Sequence, residues 1–163
     1  MHLLEVKNLI TRFKTDAGIV RAVDGISYFV DEGEIIGLVG ESGCGKSVSQ
    51  LSILQLIPTP PGEIASGEAF FAGQNLLRFH PKGAEMRGIR GGKISIIFQE
   101  PMTSLNPVLT VSRQLTEMME LHLRLDRKSS RERAVDLLRM VGIPDAEKRF
   151  SNFPYQFSGG MRQ

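Results

Sequence analysis

Gly40-Glu41-Ser42-Gly43-Cys44-Gly45-Lys46-Ser47 is the stretch from which the fold can be read. It fits G-x-x-x-x-G-K-[ST] at every position. A triphosphate is a dense negative charge, and successive backbone N–H groups of a tight loop can converge on it. Glycines permit such a loop and let the backbone come close. A helix that opens at the loop adds the positive end of its dipole. In this reading Gly40 to Ser47 cradle a nucleotide. Lys46 reaches the outer phosphates, and the Ser47 hydroxyl ligates Mg²⁺.

The flanks agree with that reading. Ile35-Ile36-Gly37-Leu38-Val39 is a nearly unbroken apolar run, the pattern of a strand buried on both faces. After the loop, Val48, Leu51, Leu54 and Ile57 recur at helical spacing until Pro58, Pro60 and Pro61. Cys44, the single cysteine, fills a loop position. No histidine-based motif marks it as a nucleophile.

Upstream, strands are expected. Leu4 and Val6 alternate with polar residues, and Ile19–Val23 and Ile26–Val30 flank Asp24-Gly25. Asp31-Glu32-Gly33 reads as a turn. Downstream, Gly67–Phe71 reads as a strand, Ala72-Gly73-Gln74 as a turn, and residues 81–92 as a short helix ending at Gly91-Gly92. Ile94–Phe98 is a second buried apolar strand, ending at Gln99. Beyond Pro101 the pattern turns helical. Thr110 caps a helix carrying Val111, Leu115, Met118, Met119 and Leu123. Ser129 and Glu132 form a capping box for another helix, which ends at Gly142 and Pro144.

Composition bounds the rest. The chain has 163 residues, 41% hydrophobic and 23% charged, which suits a globular domain with a core of its own. A net charge of +2 gives no electrostatic case for a nucleic-acid partner. One cysteine excludes an internal disulfide framework and fits a reducing compartment. No run of roughly 18–20 apolar residues is present to span a bilayer. The N-terminal residues lack the pattern of a signal peptide.

Two further segments narrow the class. Ile96-Ile97-Phe98-Gln99-Glu100-Pro101-Met102-Thr103-Ser104-Leu105-Asn106-Pro107 places a glutamine at the exit of a strand. There an amide could ligate Mg²⁺ or orient water, or simply be solvated. Phe157-Ser158-Gly159-Gly160-Met161-Arg162-Gln163 could start a second phosphate-facing helix, or be an ordinary loop. In this order, the segments resemble the nucleotide-binding domain of ABC ATPases: Walker A, Q-loop, helical subdomain and signature motif. The resemblance covers the whole chain. It points to the dipeptide and oligopeptide importer branch through the Gln99–Pro107 string and Phe153–Gln163.

The resemblance implies an α/β fold, a P-loop NTPase of ABC type. Residues 1–100 would hold an antiparallel β subdomain and a partial RecA-like core. Residues 101–163 would hold the helical subdomain, the chain ending before Walker B. It implies ATP and Mg²⁺ as ligands, with Gly40, Glu41, Ser42, Gly43, Cys44, Gly45, Lys46 and Ser47 around the phosphates. Phe13 would stack on adenine. Ser47 and Gln99 would serve the metal, and Gln99 would sense the γ-phosphate. Ser158, Gly159 and Gly160 would face the ATP of the opposite subunit.

The implied partners are a second ATPase subunit, identical or not, and transmembrane permease subunits reached through the Q-loop region. An external solute-binding protein would act indirectly. The location implied is peripheral, on the cytoplasmic face of the membrane.

Three positions depart from the family pattern: Phe157 for the usual Leu, Met161 for the general Gln, and Val48, which lacks a hydroxyl. Walker B, the catalytic glutamate and the switch histidine have no counterpart here. Asp31-Glu32, the one Asp-Glu pair, belongs to a turn. The expectation is therefore a chain that binds ATP without a complete catalytic set. Its core would have exposed apolar edges, its signature loop would lack the helix that should follow, and its stability alone would be marginal. A non-transport ABC ATPase of DNA repair or translation, a nucleotide kinase or GTPase, and an inactive truncated product are the alternatives. The Glu100–Pro107 string argues against the first, and Ser158-Gly159-Gly160 against the second.

Overall fold

The computed structural model describes residues 2–98 and 104–163. It forms two compact units, Met1–Arg87 and Gly88–Gln163. The division expected from motif content falls at 100/101.

The first unit is built on an antiparallel sheet. Strands β1 (Leu4–Thr15), β2 (Gly18–Val30), β3 (Gly62–Phe71) and β4 (Gln74–Asn75) lie in the order β2-β1-β3-β4. β1 is central and pairs with both long neighbours. The two segments expected around Asp24-Gly25 are one continuous strand, and the chain reverses at Asp16-Ala17 instead. Gly25, at φ +74, is the extra residue of a bulge: Leu9 faces Ile26, and Ile10 faces Asp24. A glycine takes that conformation without strain, so the strand passes through the bulge rather than turning. Val6, Leu9, Val23 and Ala69 are buried from the sheet.

Helix α1 (Lys46–Ile53) begins at the glycine-rich loop. Its buried face is Ser49, Ser52 and Ile53, whereas Val48 and Leu51 of the expected stripe are only half-buried. It also ends well before the prolines. The Gln55 N–H donates to Ser52 O (2.9 Å) and the Leu56 N–H to Leu51 O (2.8 Å), with Gln55 at φ +51. This is a Schellman ending built on a residue other than glycine. The Gln55 amide holds it there by donating to the carbonyls of Leu76 (2.7 Å) and Phe79 (3.0 Å).

Ile35–Val39 and Ile94–Phe98 do not form the buried strands expected of them. Neither belongs to a sheet among the described residues. The second makes one isolated bridge, Arg90 with Ile94. Ile35 is 97% exposed, Val39 90% and Ile97 95%. A strand exists only through hydrogen-bonded neighbours, and a doubly buried one needs cover on both faces as well. The apolar runs supply the side chains for such a strand but not its partners. Most of their side chains are exposed, and neither run has strand geometry.

Helix α2 (Ala84–Ile89) spans the division between the units. In the second unit, α3 (Val111–His122) packs on α4 (Arg127–Met140), followed by the short α5 (Ala146–Arg149) and α6 (Gly159–Arg162). Thr110 caps α3 as expected, its side chain accepting from Arg113 N. The start of α4 differs. Asp126 is the cap, accepting from Lys128 N (2.8 Å) and Ser129 N (3.0 Å), and Ser129 lies inside the first turn, donating its hydroxyl to Asp126. A carboxylate at a helix start is a stronger acceptor than a hydroxyl and favours the dipole. The core of this unit is one cluster: Val111, Met119, Ala134, Val135, Leu138, Ile143, Ala146, Phe150 and Phe157. No helix among the described residues is long and apolar enough to cross a membrane.

Candidate nucleotide-binding site

The loop Gly40–Gly45 closes on its own lysine. Lys46 Nζ donates to Gly40 O (2.7 Å) and Glu41 O (2.6 Å), and lies 3.4 Å from Cys44 Sγ. Two neutral carbonyls hold the cation at the mouth of the loop. Gly45, the N-cap of α1, has φ +91 and offers no side-chain cap. The first N–H groups of α1 therefore point into the loop with no side chain to accept from them. Ser47 is exposed, and its hydroxyl has no protein partner among the described residues.

Gly45 also fixes where the loop sits. A Cβ there would lie 2.0 Å from the Ala22 carbonyl oxygen, so only a glycine lets α1 start against β2. Beside this contact is a cavity of about 350 Å³. Its walls include Arg21, Val23 and Asp24 of β2, Val39 before the loop, and Lys46 and Ser49 of α1. Nothing in the local pattern of Ile19–Val23 marks these residues as loop neighbours. Their role follows from the pairing of β2 with β1, which brings that strand beneath α1.

A phosphate group suits this arrangement. Uncapped helical N–H groups and a primary ammonium converge on one loop, and anionic oxygens bond to both more strongly than carbonyls do. No cluster of histidine, cysteine and carboxylate side chains among the described residues could hold a metal by itself. A cation here would rely on Ser47 and the phosphates.

Phe13 lies in β1 of the same unit, opposite Val20 and Gly62, and is half-buried. A Cβ on Gly62 would approach its ring to 2.9 Å, so the ring occupies the space over that glycine. The next rung is braced by Arg12, which grips Glu63 with two hydrogen bonds (3.1 and 3.2 Å). Each partner stabilises the other's charge, raising the guanidinium pKa and lowering that of the carboxylate.

Gln99 and the residues to Thr103 lie outside the described residues. Ser158, Gly159 and Gly160 belong to the second unit. Here the expected loss of the following helix is only partial. One turn, α6, forms with Ser158 as its N-cap, accepting from Met161 N at 3.4 Å. Phe157, just before it, is buried in the helical core.

The sequence matches the ABC transporter family over residues 23–163. It is 49% identical to the oligopeptide transport ATP-binding protein OppD of Bacillus subtilis (strain 168) over 99% of this chain and 44% of that protein. It is 47% identical to the dipeptide transport ATP-binding protein DppD of Escherichia coli (strain K12), over 100% of this chain and 49% of that protein. The chain thus spans about half the length of the curated relatives it matches. Among solved structures, the ATP-binding cassette MJ0796 in a dimeric post-hydrolysis state bound to ADP and Pi aligns with a TM-score of 0.79 at 26% identity. The alignment takes in 98% of this chain and 65% of that one. On the family match over residues 23–163 and these relatives, the chain belongs to the ABC transporter family as an ATP-binding protein.

Proposed function

We propose that this chain is part of the ATP-binding subunit of an importer for dipeptides or oligopeptides. The observation that carries the nucleotide half is the Lys46 ammonium, held at the loop mouth by exchangeable carbonyls above uncapped helical N–H groups. The solute class rests on relatives whose names specify oligopeptide and dipeptide transport.

In this reading Lys46 leaves the carbonyls of Gly40 and Glu41 for the outer phosphates of ATP. The backbone of Gly40 to Gly45 closes around them, Glu41, Ser42, Gly43 and Cys44 included. Phe13 stacks on the base. The Ser47 hydroxyl and Gln99 hold Mg²⁺, which when bound neutralises charge on the phosphates. Ser158, Gly159 and Gly160 face the nucleotide of a second ATPase subunit. The Q-loop region meets the transmembrane permease, and an external solute-binding protein acts through that permease. The site lies on the cytoplasmic face of the membrane. Nucleotide-dependent closure of two such subunits would bias the permease between its states.

The 163 residues carry no Asp-Glu pair beyond Asp31-Glu32, so the chain by itself binds ATP without turning it over. Calorimetric titration with ATP and Mg²⁺ tests the binding: Lys46→Ala should abolish it, and an unchanged affinity would refute the site. Steady phosphate release by the chain, lost in Lys46→Ala, would refute the claim about turnover. Uptake of a labelled dipeptide by the assembled importer tests the solute class.

A further inference from the structure

Two contacts of helix α1 with the sheet lie near one rung. Its first residue boundary, Gly45, abuts Ala22 of β2. About two turns later, the Ser52 hydroxyl meets the Thr11 hydroxyl of β1 at 2.8 Å. Thr11 faces Val23 across the β1–β2 ladder, next to Ala22. Both hydroxyl residues are completely buried. The direction of the bond is fixed by a third group. Ser52 Oγ donates its one hydrogen to Val48 O (2.7 Å), so Thr11 must donate to Ser52. The result is a short relay, Thr11 to Ser52 to the Val48 carbonyl, along the second turn of α1.

Two residues beyond Thr11, the same strand carries Phe13. The ladder between β1 and β2 is irregular between Thr11 and Arg12, but on its other edge β1 pairs with β3 without a break from Thr11 to Phe13, opposite Ile64, Glu63 and Gly62, so that Phe13 is held at a fixed distance from Thr11. A fixed anchor at Thr11 is therefore what sets the position of Phe13 relative to Lys46. The Gly45–Ala22 contact fixes where the helix starts but not its rotation about its own axis, and apolar packing, which is not directional, does not fix that either. A buried hydroxyl pair is directional and permits one register.

We propose that Thr11 and Ser52 are positioning residues that set the spacing between the phosphate loop and the base-stacking ring, and so favour a whole nucleotide over its phosphate chain alone. This rests on the nucleotide site proposed above. A merely structural role would weaken every ligand of the loop alike. A spacing role weakens only a ligand that spans both ends.

The test is calorimetric titration of the intact protein with ATP and with inorganic tripolyphosphate, each with Mg²⁺. Thr11→Val and Ser52→Ala should weaken ATP about fivefold, the worth of one buried hydrogen bond, and leave tripolyphosphate unchanged. Thr11→Ser, which keeps the donor, should restore ATP affinity. Equal weakening of both ligands, or no change in either, overturns the proposal. If Thr11→Val fails to fold, Ser52→Ala and Thr11→Ser carry the same comparison. Failure of the underlying site would look different: Phe13→Ala would leave the ratio of ATP to tripolyphosphate affinity at its wild-type value.

Discussion

The α-carbon of Gly45 faces the carbonyl oxygen of Ala22 so closely that a methyl group added there would lie 2.0 Å from it. The phosphate loop is seated on β2 by this contact. Gly45→Ala must therefore push α1 off the strand, and it must do so at φ +91, a backbone region costing a non-glycine residue about 1–3 kcal/mol. ATP affinity should fall about tenfold or more, measured by calorimetry, while far-ultraviolet dichroism of the second unit's helices stays intact.

Gln55 holds the far end of the same helix. Its amide donates to Leu76 O and Phe79 O, and its backbone sits at φ +51. Gln55→Ala keeps the unfavourable backbone and removes the donors. A loss of about 1–3 kcal/mol is expected in urea unfolding. Gln55→Gly relieves the backbone and should lose less.

Phe157, just before the Ser158 cap, is 5% exposed within the helical core. Phe157→Ala should cost about 3–5 kcal/mol. Phe157→Leu should cost about 1 kcal/mol, since most of the volume is kept. Thermal unfolding separates the two. If the alanine variant unfolds like wild type, the ring does not anchor the turn that presents Ser158.

Asp126 caps α4, and its carboxyl pKa is lowered, first by the backbone hydrogen bond from Ser129, then by the Ser129 hydroxyl and by Lys128 N. A depressed native pKa means that the unfolded chain binds the proton more readily. The contribution is present in full above the ordinary aspartate range and disappears as pH falls through the native value. Melting temperature followed from neutrality to about pH 3 should drop less steeply in Asp126→Asn than in wild type. An identical slope would show that the charge at this cap is not linked to folding.

The parts of the fold legible from sequence were those encoded locally. The loop motif placed the start of α1 at Lys46, Thr110 announced α3, and Gly142 marked the end of α4. Ile35–Val39 shows the limit. Its composition is that of a buried strand, but pairing is a property of two segments, and one segment cannot supply it. Asp126 against Ser129 shows another: both residues fit a cap, and the choice turns on which acceptor reaches the first free N–H groups. Thr11 and Ser52 are ordinary strand and helix residues until the sheet order brings them together. The same is true of Arg21 to Asp24, which border the loop only because β2 runs beneath it.

The two carbonyls that hold Lys46 act as a threshold. Each is a dipole without net charge, so a displacing ligand has to offer the ammonium more than their combined pull before the lysine lets go. A monovalent ion such as chloride, with one charge and no array of oxygens, gains little by replacing them. A polyphosphate would bring several charged oxygens at once, enough to compete with both. The hold on the lysine is thus made of backbone atoms, which no side-chain substitution removes.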